Sequence, residues 1–126
     1  SLCSISKSEI SWAGANNPLW YIENGKINEI TANKQPIGVA DNQEPFTTHV
    51  LEKDKGISLY LFTDGFADQF GGSKGKKLKY KKLEEFILSI YEKTMAEQEK
   101  MLDEMFEAWK GKLSQVDDVL VIGIRL

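Results

Sequence analysis

Acidic residues adjoin two of the apolar runs in this sequence. Asp64 comes directly after the run Ile57–Thr63 (ISLYLFT), and Asp117 and Asp118 come directly before the run Val119–Leu126 (VLVIGIRL). An aspartate at a strand end often does no more than cap a turn or the next helix. Two strands that each end in a carboxylate can instead converge at one edge of a sheet, where the like charges need neutralising by a proton or a cation. Both interpretations of Asp64 stay open at this point.

The chemistry of such a cation follows from the other residue types present. The chain has a single cysteine, Cys3, and a single histidine, His49. It therefore lacks a set of soft ligands for structural zinc. A metal bound here must be held by oxygen ligands, which suits Mg²⁺ or Mn²⁺.

Short strands must position these acids. Alternating segments over 2–6 and 9–13 predict two strands joined by a tight turn. The segment Pro18–Glu23 runs into Asn24-Gly25, a strong hairpin signal, and alternation resumes over Lys26–Thr31. A further strand is predicted over Phe46–Leu51. The final run, Val119–Leu126, is apolar on both faces, which predicts a central, covered strand.

Two helices are predicted between the acidic sites. Apolar residues recur at helical spacing first over 83–91 and again over 102–109. Thr94 and Glu97 match a capping box that opens the second helix, and Gly111 fits its end. The sequence therefore predicts an α+β fold of antiparallel strands with two helices.

Composition excludes several classes of protein. A length of 126 residues suits one domain, 1–126. The net charge of −3 argues against a nucleic-acid partner or an anionic membrane surface. No apolar run approaches the roughly 20 residues that span a bilayer, and no signal peptide is visible. A single cysteine is compatible with a cytoplasmic location.

The segments LYLFTDGFADQFGG and QVDDVLVIGIRL resemble the C-terminal part of bacterial SpoIIE-type phosphatases, members of the metal-dependent PPM protein phosphatases. The upstream segments AGANNPLWYIENGKINEI and KQPIG fit the same family. The resemblance implies an antiparallel β-sandwich flanked by helices, and two Mn²⁺ or Mg²⁺ ions per complete domain. By this resemblance Asp64 and Asp117 are metal ligands, and Asp118 occupies a supporting position.

The resemblance also implies an activity and a partner. The family hydrolyses phosphoserine or phosphothreonine on bacterial regulatory proteins, typically antagonists of anti-sigma factors. Two cations that activate a water need no side-chain nucleophile. The absence of a Ser-His or Cys-His arrangement is therefore no objection.

The N-terminal half of the family pattern has no match here. That half carries a Gly-Asp-x-x-Gly-His metal motif, so we expect this chain to be the C-terminal portion of a domain in a larger signalling protein, with the N-terminal strands missing. Alone, it is expected to bind divalent ions weakly, to lack appreciable activity, and to self-associate through an exposed sheet edge. The alternative function is a non-catalytic protein-interaction module with a degenerate or truncated phosphatase fold.

Six lysines lie within residues 74–82, beginning in a glycine-rich loop. They form either a solvated loop and helix start, or a docking surface for an acidic or phosphorylated partner. Four of them, Lys74, Lys76, Lys77 and Lys79, are the candidate docking residues.

Overall fold

The computed structural model describes residues 1–39, 44–53 and 56–126. The β-strands in this part of the chain are β1 Leu2–Ile5, β2 Glu9–Ala13, β3 Leu19–Glu23, β4 Lys26–Ile30, β5 His49–Glu52, β6 Ser58–Phe62, β7 Phe70–Gly71, β8 Lys76–Lys77 and β9 Val121–Arg125. The helices are α1 Gly65–Asp68, α2 Tyr80–Ile90 and α3 Met95–Lys110. None of these helices is long and apolar enough to cross a membrane.

Two antiparallel sheets form a sandwich. One has the strand order β4-β3-β6-β9, and the other has the order β1-β2-β5. Their facing side chains share an apolar core, because alternate residues of each strand point to the same face. The buried members of this core are Ile10, Trp12, Leu19, Ile57, Leu59 and Ala32.

The long helices cover the outer face of the four-stranded sheet. Tyr60 and Phe62 point to this face, whereas their neighbour Leu59 points into the sandwich. Tyr60 and Phe62 pack against Leu83 and Ile87 of α2 and the apolar residues of α3. The hydroxyl of Tyr60 donates a hydrogen bond of 2.8 Å to Gln98 of α3, so its polar atom is satisfied inside the core. An antiparallel sandwich with flanking helices confirms the predicted fold class.

Local sequence signals correctly predicted the β3–β4 turn and both ends of α3. Asn24 and Gly25 connect β3 to β4 with φ values of 50° and 72°, the left-handed conformation that this hairpin turn requires. Thr94 and Glu97 form the reciprocal capping box of α3, and Gly111 ends that helix. Both elements lie where the sequence placed them.

The predicted position of the last strand was wrong. We expected Val119–Leu126 to be central and covered, but β9 is an edge strand that pairs with β6 alone in the described part of the chain. Leu120 and Ile122 remain 54% and 45% exposed. An apolar composition on both faces shows that a strand favours burial, but it does not say which segment supplies the cover.

Three smaller elements also differ from expectation. The strand predicted over Phe46–Leu51 begins only at His49. The single-turn helix α1 and the short hairpin β7–β8 were not predicted. Glycines and lysines dominate the β7–β8 segment, and their presence favours a loop over a strand.

Candidate metal centre

Asp64 lies just beyond the tip of β6. It occupies the cap position of α1, with φ −70° and ψ −18°, but its side chain makes no capping hydrogen bond. The carboxylate therefore does not cap the start of α1, and the residue is exposed. Of the two interpretations that the sequence left open, the geometry disfavours the capping role.

Thr63 joins the tip of β6 to the second acidic segment. Its hydroxyl donates to the carbonyl oxygen of Asp118 at 2.8 Å and accepts from the backbone N–H of Leu120 at 3.0 Å. Its own backbone N–H donates to the carbonyl oxygen of Leu120 at 3.0 Å. The backbone segments that carry Asp64 and Asp118 therefore lie side by side.

Gly65 allows this close approach. A Cβ at this position would lie 2.4 Å from the carbonyl oxygen of Asp118, a distance that no real Cβ contact tolerates. The glycine is required here by contact with the neighbouring backbone. Its backbone conformation is ordinary, since it belongs to the right-handed helix α1.

The two neighbouring aspartates have different surroundings. Asp117 accepts a hydrogen bond of 2.7 Å at its Oδ1 from the backbone N–H of Asp118. Asp118 contacts Thr63 through its backbone carbonyl and not through its side chain.

Several carboxylates give this end of the sheet a negative electrostatic potential. Burial raises the pKa of the Tyr80 hydroxyl, and the charges of Asp64, Asp68 and Glu29 raise it further. Asp68 is itself paired with Lys77 at 2.9 Å. Glu29 accepts a hydrogen bond from the indole N–H of Trp20 at 2.8 Å. Asp64 therefore lies near two other carboxylates, and each of those, Asp68 and Glu29, already has a partner.

The donor chemistry fits a hard divalent cation, but only in part. Asp64 and Asp117 offer carboxylate oxygens, the ligands that Mg²⁺ and Mn²⁺ prefer. Across residues 1–39, 44–53 and 56–126, no three His, Cys, Asp or Glu side chains are grouped to hold a metal ion. These two carboxylates would supply only part of a coordination sphere if a divalent ion were bound here.

The candidate docking lysines lie on and beside the β7–β8 hairpin. Lys74 is in its turn, Lys76 and Lys77 form β8, and Lys79 follows at the cap position of α2. All four are exposed. Because Lys77 pairs with Asp68 of α1, the hairpin is attached to the helix that follows Asp64.

Sequence reasoning missed the residues that hold the acidic segments together. Thr63 and Gln69 carry no charge, and each was passed over as part of the stretch around Asp64. A signal was available for Thr63, since a hydroxyl at a strand end often bonds neighbouring backbone. No such signal marks Gln69, because a polar residue shortly before a pair of glycines normally indicates an exposed loop.

Comparison with known proteins places the chain in a family. The family model described as "Stage II sporulation protein E (SpoIIE)" matches residues 4–126. The SiaA-PP2C domain of Pseudomonas aeruginosa has a similar structure, with a TM-score of 0.82 and 23% identity over 94% of this chain. The phosphatase domain of the cell fate determinant SpoIIE from Bacillus subtilis (Mn presoaked) gives a TM-score of 0.68 and 15% identity over 99% of this chain. No curated protein sequence matches.

This chain spans about half of each of those structures, 46% of the first and 55% of the second. At such low identities the structures show a common fold and nothing finer. The family model, by contrast, matches nearly the whole chain. The chain therefore belongs to the SpoIIE family, and its sandwich with flanking helices is a PP2C-type phosphatase fold.

Proposed function

We propose that this chain is the metal-binding C-terminal part of a serine/threonine protein phosphatase domain. The observation that carries the proposal is the tip of β6. There the Asp64 carboxylate is free of capping, and Thr63 holds the Asp117–Asp118 segment beside it. The proposed substrates are phosphorylated bacterial regulatory proteins, in the cytoplasm, as the family resemblance implies.

Within that function the residues have separate tasks. Asp64 and Asp117 hold the divalent ions, and Thr63 and Gly65 set the separation of the segments that carry them. When bound, the ions supply an activated water and offset negative charge on the phosphoryl group. The chain itself needs to provide no side-chain nucleophile.

We also propose that the isolated chain is inactive. Its described residues supply fewer than three grouped ligands, so the affinity for Mn²⁺ should be weak. Turnover needs ions fixed by a complete set of ligands, since geometry and charge supply most of the catalysis. We expect no measurable hydrolysis of a phenyl phosphate ester.

Titration with Mn²⁺ tests the site. Binding measured by nuclear magnetic resonance should be lost in Asp64→Asn and retained in Asp103→Asn, which removes the same charge from an exposed position on α3. Equal losses in the two variants would contradict a specific site at Asp64. Hydrolysis of the ester by the isolated chain, abolished by Asp64→Asn, would show that the claim of inactivity is wrong.

The second candidate is a non-catalytic interaction module. The exposed edge of β9 and the lysines of the β7–β8 hairpin favour it, because both are surfaces without a catalytic task. The coding sequence upstream of Ser1 separates the two functions. A Gly-Asp-x-x-Gly-His element there would support the phosphatase, and its absence would support the module.

A further inference from the structure

Gln69 is a buried polar residue whose side chain bonds the backbone just before Asp117. It follows α1 directly and its exposed fraction is 0%. Its side-chain Nε2 donates to the carbonyl oxygens of Ser114 at 3.0 Å and Phe70 at 2.9 Å. Its Oε1 accepts from the backbone N–H of Val116 at 3.3 Å. A single buried amide therefore bonds both sides of the short segment 114–116.

These partners determine which way the amide faces. Both partners of the nitrogen are carbonyl oxygens, and the partner of the oxygen is an N–H group, so the reverse orientation would oppose like groups. The backbone carbonyl of Gln69 accepts two more bonds, from the Trp109 indole N–H at 2.9 Å and from the Leu78 backbone N–H at 3.0 Å. Gln69 is thus fixed to α3 and to the segment before α2, and is held in place independently of segment 114–116.

We infer that Gln69 is a positioning residue for the metal ligand Asp117, an inference that rests on the proposed function. Asp117 lies between Val116, which Gln69 holds, and Asp118, which Thr63 holds. The two anchors come from one stretch of chain, since Thr63 and Gln69 flank Asp64 and α1. The placement of Asp117 relative to Asp64 is therefore set by residues adjacent to Asp64 itself.

Replacement of the amide separates this role from ordinary packing. Gln69→Met keeps the length of the side chain and removes its hydrogen bonds to segment 114–116. Because Ser114 and Val116 are exposed, water can take over their backbone groups, and the segment should detach while the fold persists. Trp109→Phe is the matched control. It removes the indole hydrogen bond to the Gln69 backbone but leaves the side-chain amide bonded to segment 114–116.

The experiment measures amide exchange and Mn²⁺ broadening by nuclear magnetic resonance. In the unsubstituted chain, the Val116 amide should exchange slowly, and Mn²⁺ should broaden the amides of Gly65 and Asp118 at the same concentration. In Gln69→Met, Val116 exchange should accelerate on the order of tenfold, the factor expected for one lost hydrogen bond. Broadening at Asp118 should then need severalfold more Mn²⁺ than broadening at Gly65. In Trp109→Phe, the amides of Gly65 and Asp118 should still broaden at the same Mn²⁺ concentration.

The outcomes separate the positioning role from the proposed function. If Mn²⁺ broadens neither segment of the unsubstituted chain, the proposed metal site is wrong and the inference falls with it. If it broadens both together in the unsubstituted chain and in Gln69→Met alike, the proposed site stands and the positioning role is overturned. Should Gln69→Met fail to fold, the unsubstituted chain still decides, because rapid exchange at Val116 overturns the inference and slow exchange supports it.

Discussion

At the tip of β6, neighbouring residues divide the work of building a site. Thr63 bonds the second acidic segment, Asp64 leaves its carboxylate free, and Gly65 leaves room for the backbone of Asp118. An added methyl group at Gly65 would separate the segments even if both carboxylates were kept. The residues that make the site specific are therefore not all residues that would touch a metal ion.

Lys79 adopts a backbone conformation that only glycine visits without cost. Its φ of 74° and ψ of 151° lie where other residues lose about 1–3 kcal/mol. Its backbone N–H nevertheless donates to the carbonyl oxygen of Ala67 at 2.7 Å, which ties the start of α2 to α1. We expect Lys79→Gly to raise the free energy of unfolding by about 1 kcal/mol, once the greater freedom of glycine in the unfolded chain is subtracted. Urea unfolding measures it.

The control for this prediction is Lys81→Gly. Lys81 is also exposed but lies inside the first turn of α2, where glycine lowers stability by about 0.5–1 kcal/mol. The two substitutions should therefore change the urea midpoint in opposite directions. Equal destabilisation by both would show that the backbone at Lys79 is unstrained.

Among the secondary-structure elements, those specified by nearby residues could be predicted and those specified by distant contacts could not. The β3–β4 hairpin depends on Asn24-Gly25, and α3 depends on its capping box, so a few adjacent residues suffice. The hairpin β7–β8 has no such signal. Gly71 is instead held against Trp109, whose carbonyl carbon and oxygen would both clash with a Cβ there, and that contact spans nearly forty residues.

The candidate site divides in the same way. Asp64 and Asp117 could be found because carboxylates next to apolar runs stand out in a sequence. For Thr63, a hydroxyl at a strand end signals a bond to nearby backbone. Its partner segment could not be predicted, since that depends on the register that pairs β6 with β9. Gln69 could not be found, because its partners in α3 and in segment 114–116 are 40 or more residues away.

The β7–β8 hairpin is the element that we expect to bind an acidic partner. Lys77 is paired with Asp68 and Lys82 lies 3.9 Å above the Trp109 ring, whereas Lys74 and Lys76 are exposed with no ion pair in the described residues. We propose that they attract a phosphorylated, acidic protein segment. A double variant, Lys74→Gln with Lys76→Gln, should weaken binding of an acidic phosphoserine peptide severalfold, measured by fluorescence anisotropy.

The matched control neutralises two exposed lysines elsewhere, Lys7→Gln in the β1–β2 turn with Lys93→Gln beyond the C-terminal end of α2, and changes the net charge equally. It should leave the affinity for the peptide within about twofold, because exposed charges beyond a Debye length of roughly 10 Å are screened. Equal weakening by the two double variants would show that only the net charge matters and would contradict a docking surface on the hairpin.

At the scale of the whole molecule, the β9 edge of the larger sheet pairs with no further strand within the described residues. A groove of about 820 Å³ runs between α3 and β9, and Leu120 and Ile122 contribute exposed apolar surface to it. The backbone groups of Leu120 and Leu126 form hydrogen bonds on the side that faces β6. Because backbone groups alternate in direction along an antiparallel strand, those of Val121, Gly123 and Arg125 point away from β6, toward the open edge. Unpaired N–H and C=O groups beside apolar side chains favour the addition of another strand.

We propose that in the isolated chain this strand is β9 of a second copy. Antiparallel pairing about Gly123 sets Val121 of one copy opposite Arg125 of the other, so a twofold axis satisfies both edges at once. Light scattering should give twice the monomer mass at high concentration, and Ile122→Lys should restore the monomer, because it places a charge at the exposed apolar surface beside the pairing edge.

The control is Val50→Lys, which adds the same charge to β5, an edge strand of the smaller sheet, and should leave the dimer intact. Dissociation by Val50→Lys alone would assign the contact to the smaller sheet. A monomer at every concentration would show that the open edge of β9 is not sufficient for association.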